Sequence, residues 1–82
     1  MPPRPRPLSA RDVLRILKGC GFQVVATRGS HAKLRRVDGD GLRETLTLPL
    51  HRNLDPGALS AIFRQSVRFI PESALSKHFH FD

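Results

Sequence analysis

The spacing of apolar positions changes several times along the chain, and each change marks an element. Val13, Leu14, Ile16 and Leu17 form a helical stripe behind Ser9, with Asp12 placed as in a capping box, and the stripe ends at Gly19 and Gly21. This predicts a helix over 10–18. Phe22, Val24 and Ala26 then alternate with Gln23, Val25 and Thr27 until Gly29, predicting a strand over 22–28. From His31 to Val37, Ala32 and Leu34 share one face while His31, Lys33 and Arg35 share the other. A third strand over 43–50 repeats the pattern, with Leu46, Leu48 and Leu50 on the even face and Thr45 and Thr47 on the odd one. Residues opposite each other in a hairpin share a face, so burying both apolar sets requires odd to meet odd, for example Arg35 opposite Thr45. A three-residue loop, Gly39-Asp40-Gly41, meets that parity with Gly41 in the left-handed conformation, and a two-residue loop does not. Asp55 as N-cap, Pro56 at the first helical position and the spacing of Leu59, Ile62, Phe63, Ser66 and Val67 predict a second helix over 56–66.

The order helix, three strands, helix specifies an α+β domain: a three-stranded antiparallel sheet with both helices on its apolar even face, the odd face left open to solvent or ligand. Residues 1–7, basic and rich in proline, are expected to form neither helix nor ladder, but an extended mobile tail in loose contact with phosphate. The domain is expected over 8–70, where Arg68-Phe69-Ile70 either extends the second helix or forms a short edge strand, and Pro71 stops either. Residues 71–82 are a C-terminal extension without a firm assignment. There is no internal repeat and no linker between domains.

Composition sharpens the picture. At 82 residues the chain is near the lower limit for a fold held by a hydrophobic core alone. Its net charge of +7 and sequence pI of about 11.4 favour a polyanionic partner, nucleic acid first. A single cysteine, Cys20, excludes an internal disulfide and a cysteine-rich zinc site. No signal peptide is apparent, no apolar run is long enough to cross a membrane, and the expected location is a reducing cytoplasm.

The open face is where chemistry is expected. His31, Lys33 and Arg35 line up there with Thr45 and Thr47, joined by His51 if the strand continues past Pro49. RNA carries its own nucleophile, so a cleaving enzyme must remove the 2′-hydroxyl proton, stabilise charge at phosphorus and protonate the leaving oxygen, which histidine and cations can do. Gly29 lets backbone approach a phosphate, and the Ser30 hydroxyl and nearby N–H groups can hold it. Blander readings stand beside these. His31 can be a surface strand histidine, His51 a cap on the turn into Arg52-Asn53-Leu54, and Arg64 and Arg68 a solvated basic face rather than phosphate contacts. His78 and His80, alternating with Phe79 and Phe81, make a weak metal tract, and packing of the phenylalanines on the domain or a partner is the better reading. The acidic residues form no cluster suited to Mg²⁺, and there is no P-loop or nucleophile elbow, so neither metal nor cofactor is expected.

Three short motifs in order, Gly21-Phe22 with Arg28-Gly29-Ser30-His31, then Leu48-Pro49-Leu50-His51, then Pro56-Gly57-Ala58-Leu59 with Ile62-Phe63-Arg64-Gln65, resemble the HicA (YcfA-like) family over roughly 8–66. The resemblance implies a double-stranded-RNA-binding-domain-like α-β-β-β-α fold and a toxin that cleaves mRNA, neutralised by a HicB antitoxin. By position it implies His31 as the catalytic histidine, with Gly29 and Ser30 shaping its loop, and His51 as the second family histidine; Ser30 and His51 are the auxiliary candidates. Arg28, Gly29, Lys33, Arg35 and Arg64 are the candidate RNA contacts, Lys33 and Arg35 resting on strand parity. After Ser66 the chain departs from the family pattern, with Val67-Arg68-Phe69-Ile70 in place of a glycine and a short acidic helix. Two other functions compete: a binding module that grips duplex RNA without cutting it, and an interaction protein whose basic face docks an acidic partner.

Overall fold

A computed structural model describes Arg4, Pro5 and residues 7–81, with side chains described for 7–79. The order is β1 (Arg4–Pro5), α1 (Ala10–Gly19), β2 (Gln23–Arg28), β3 (His31–Val37), β4 (Arg43–Pro49), α2 (Pro56–Ser66), α3 (Glu72–Phe79) and β5 (His80–Phe81). β2, β3 and β4 form an antiparallel sheet in that spatial order, and β1 pairs with β5 in a separate two-stranded ladder. The three-strand, two-helix frame matches the sequence reading, including its double-stranded-RNA-binding-domain-like order.

The caps explain where α1 begins and ends. The Ser9 hydroxyl accepts from the Asp12 N–H at 3.1 Å while the Asp12 carboxylate accepts from the Ser9 N–H at 2.9 Å, a complete capping box. At the other end, the Phe22 N–H reaches the Leu17 carbonyl and the Gly21 N–H the Lys18 carbonyl, a Schellman motif that needs Gly21 at φ 96°. A side chain at Gly21 would also come within 3.1 Å of Arg36 Cδ.

The hairpin between β3 and β4 has the expected register, Arg35 opposite Thr45 and Lys33 opposite Thr47. Its loop is Gly39-Asp40-Gly41: the Asp38 N–H donates to the Leu42 carbonyl, the Gly41 N–H to the Asp38 carbonyl, and Gly41 has φ 81°. Ala32, Leu34, Leu46 and Leu48 accordingly face the helices, where they pack with Val13, Leu17, Phe22, Leu59 and Ile62.

Two elements depart from expectation, and a third fills the unassigned C-terminal extension, with Phe79 packed on the domain as expected. Arg4–Pro5 pairs with His80–Phe81, so that part of the proline-rich segment does enter a ladder; two residues at a sheet edge leave proline's missing N–H harmless. Residues 1–3 and Arg6 of the tail lie outside the described residues, as do the side chains of His80 and Phe81. Residues 68–70 neither extend α2 nor form a strand: they make a turn in which the Phe69 and Ile70 N–H groups both donate to the Ser66 carbonyl. Beyond Pro71, whose carbonyl accepts from Ala74 and Leu75, α3 drives Leu75 and Phe79 fully into the common core, and Phe79 packs on Phe63 at 5.7 Å between ring centres.

Where the apolar even face of β3 runs out, Arg36 takes over. Its guanidinium donates to Glu44 Oε1 at 2.6 Å directly across the hairpin, to the Cys20 carbonyl at 2.9 Å and to the Phe69 carbonyl at 2.8 Å, and lies 4.8 Å from the centre of the Phe22 ring. One side chain thus ties the sheet to the ends of α1 and α2. Arg36→Ala strands Glu44 and two carbonyls, so we expect a loss of about 2 kcal/mol in urea unfolding. Arg36→Lys should recover only part of it, because an ammonium lacks the planar fork that reaches all three acceptors.

The backbone and hydroxyl hydrogen bonds from Ser9 hold the Asp12 carboxyl below its ordinary value of 3.8. A lowered folded-state pKa stabilises at pH above that ordinary value and is lost as pH falls through the lowered one. Asp12→Asn should therefore melt below the wild type at pH 7, and the gap should close as pH drops beneath 3.8.

Candidate active site

The loop between β2 and β3 has only two residues, Gly29 and Ser30, with Gly29 at φ 56° in the first position, where hairpin turns of this length favour glycine. Such a loop places Arg28 directly opposite His31. Farther along, the register requires Val24 opposite Leu34. The two requirements differ by one residue, and a β-bulge between Val24 and Ala26 absorbs it. Ala26 and Arg28, which uninterrupted alternation from Phe22 would turn toward the helices, instead join His31 and Lys33 on the open face.

The open face is therefore built in rows across the three strands. Arg28, His31 and Pro49 form the first, and Ala26, Lys33 and Thr47 the second. Arg35 beside Thr45 continues the face. Opposed side chains in such rows stand about 5 Å apart at Cβ. Ala26, Arg28, His31, Lys33 and Thr47, with the backbone at Ala32, line a shallow hollow in which the small Ala26 side chain leaves room and no carboxylate takes part.

The candidate residues separate into those gathered here and those placed elsewhere. Arg28, His31 and Lys33 are exposed and share the hollow. The Ser30 hydroxyl lies 3.5 Å from His31 Nδ1, while its carbonyl accepts from the Leu50 N–H at 2.6 Å, fixing the loop against the end of β4. Gly29 supplies the turn. Arg35 is half-buried, and its Nε is buried without a hydrogen-bond partner. His51 is not on the face: β4 ends at Pro49, and the His51 carbonyl accepts from the Ala10 N–H at 3.1 Å, which draws the segment toward α1. Arg64 is exposed in the last turn of α2 and does not line the hollow.

The sheet's two edges differ. At β4, Gln65 of α2 accepts from the Thr47 N–H at 3.0 Å and donates to its carbonyl at 3.4 Å, standing in for a neighbouring strand. At β2, Val24 and Val25 are exposed, at 38% and 47%. Among the described residues no group of three or more His, Cys, Asp or Glu is placed to hold a metal ion, and no helix is long and apolar enough to cross a membrane.

The bulge is the feature that simple alternation missed. Its signal was present: a two-residue Gly-Ser loop pairs an even position with an odd one, whereas Val24 and Leu34 require even with even.

Residues 10–66 match the family described as the HicA toxin of bacterial toxin-antitoxin. Neither the comparison with curated proteins nor that with solved structures gives a match. The matched stretch runs from the first residue of α1 to the last of α2, and so contains the whole sheet, the His31 loop and the hollow. The chain belongs to the HicA toxin family and is the toxin of a toxin–antitoxin system, with an antitoxin as its partner.

Proposed function

We propose that the chain is an endoribonuclease that cleaves mRNA without a metal, using His31, that it thereby inhibits translation in the cytoplasm, and that a HicB-type antitoxin neutralises it by covering the open face. The observation that carries this reading is the placement of Arg28 directly opposite His31, with Lys33 next on the same face of a hollow free of carboxylates. In the reaction, a neutral His31 ring nitrogen takes the 2′-hydroxyl proton. The 2′-oxygen bonds to the adjacent phosphorus, and the bond from phosphorus to the 5′-oxygen breaks. The products are a 2′,3′-cyclic phosphate and a 5′-hydroxyl, whose proton comes from water or a second acid.

Arg28 and Lys33 bind the phosphate oxygens and meet the charge that builds on them. Arg35 adds a further cation along the face, and Ser30 holds the loop that presents His31. A positioned base of this kind is worth roughly 10²–10⁴ in rate. The same rows suit a HicB-type partner, because an acidic surface laid over them would exclude RNA both by contact and by charge.

The test is cleavage of a defined mRNA by the purified chain in excess EDTA. Wild type should cut, His31→Ala should lose at least about 100-fold in rate while still binding RNA, and Arg28→Ala and Lys33→Ala should each lose about tenfold. Tight RNA binding with no cutting by any form would instead identify a double-stranded-RNA-binding module.

A further inference from the structure

The segment after β4 is tied to the His31 loop on one side and to α1 on the other. Leu50 donates its N–H to Ser30, the Ala10 N–H donates to the His51 carbonyl, and the Leu54 N–H donates to the Leu8 carbonyl. Between this segment and the start of α1 lies a cleft lined by Ser9, Arg11, Leu14, Leu50, His51 and Arg52. Arg11, His51 and Arg52 are exposed at its mouth, over a floor that includes Leu14 and Leu50.

Of the nearest acids along the chain, Asp12 offsets part of the Arg11 charge but is shared with Arg15 at 3.9 Å, and both it and Asp55 are engaged as helix caps. The Asp12 carboxylate is held by Ser9 in the capping box, and Asp55 accepts from the Ala58 N–H at 2.7 Å as the cap of α2. The cleft is close to the hollow. Arg52 is three residues beyond Pro49, the direct neighbour of His31, so the backbone between them spans at most about 11 Å. Cations therefore run from the hollow over the end of the sheet to α1.

Resting on the ribonuclease reading, we propose that this cleft is a second RNA-backbone subsite, in which Arg11 and Arg52, with His51 between them, take phosphates a few nucleotides from the one that reacts at His31. The ligand is single-stranded RNA read through its phosphates, without regard to base. This gives His51 a binding role away from the reacting atoms. It also makes affinity depend on RNA length, since a short oligonucleotide fills only the hollow.

The test measures binding of fluorescent RNA of three and of twelve nucleotides to the uncut His31→Ala chain, with and without Arg11→Ala and Arg52→Ala together. The double substitution should weaken the twelve-nucleotide RNA about tenfold at low salt and flatten the slope of log affinity against log salt by about 1.4, the value for two single-strand phosphate contacts. It should leave the three-nucleotide RNA unchanged, and Arg11→Lys with Arg52→Lys should restore both affinity and slope. Unchanged affinity and slope on the longer RNA, with binding otherwise intact, overturns the subsite alone. Failure of every form to bind RNA overturns the ribonuclease reading with it. Unchanged thermal melting of the variants is expected, because both arginines are exposed, and lost melting would overturn their assignment as surface ligands.

Discussion

β3 is the middle strand of three, and the demand that Ala32 and Leu34 face the helices governs everything around it. A strand has only two faces, so committing these side chains to the core commits His31, Lys33 and Arg35 to the other side. β4 obeys the same parity through a three-residue loop. β2 cannot, because its two-residue loop pairs Arg28 with His31, and the bulge at Val25 reconciles that loop with the core. The cost is an irregular, exposed edge strand; the consequence is an arginine beside the histidine. Function and packing are thus set by one register rather than by separate devices.

A core this small needs help at its margins. Arg36 gives it where the even face of β3 leaves the apolar layer, joining Glu44, the end of α1 and the turn after α2 through a single guanidinium. α3 gives it at the other end, adding Leu75 and Phe79 to side chains that α1, α2 and the sheet already bring together. Gln65 seals the β4 edge. With helices on one face and that edge closed, the open face and the β2 edge are left for a ligand or partner.

Both longer helices, the three strands and the hairpin loop at Gly39-Asp40-Gly41 were legible in the sequence because each is specified locally: a cap, a proline at the first helical position, a period of two, a glycine where the chain must turn left-handed. α3 was not, since its two core positions, Leu75 and Phe79, are too few to set a period, and Pro71 reads equally well as an end or a beginning. The pairing of Arg4–Pro5 with His80–Phe81 joins the two ends of the chain, which no local pattern reports. At the site, His31, Lys33 and Arg35 followed from parity, whereas Arg28 came from its motif, because its place on the face depends on a bulge. The place of His51 does not follow from parity either: Pro49 closes the strand, and the path of residues 50–54 is set by contacts with α1 rather than by alternation.

The central claim is that RNA supplies the nucleophile and His31 removes its proton, with Arg28 and Lys33 on the phosphate. The most direct measurement is the mass of the ends left on a short RNA cut by the wild-type chain, alongside the same RNA carrying a single 2′-deoxy nucleotide at the cleaved position. The account predicts a 2′,3′-cyclic phosphate facing a 5′-hydroxyl, and no cut at the deoxy position. A 3′-hydroxyl facing a 5′-phosphate, or cleavage that ignores the missing 2′-hydroxyl, would contradict it.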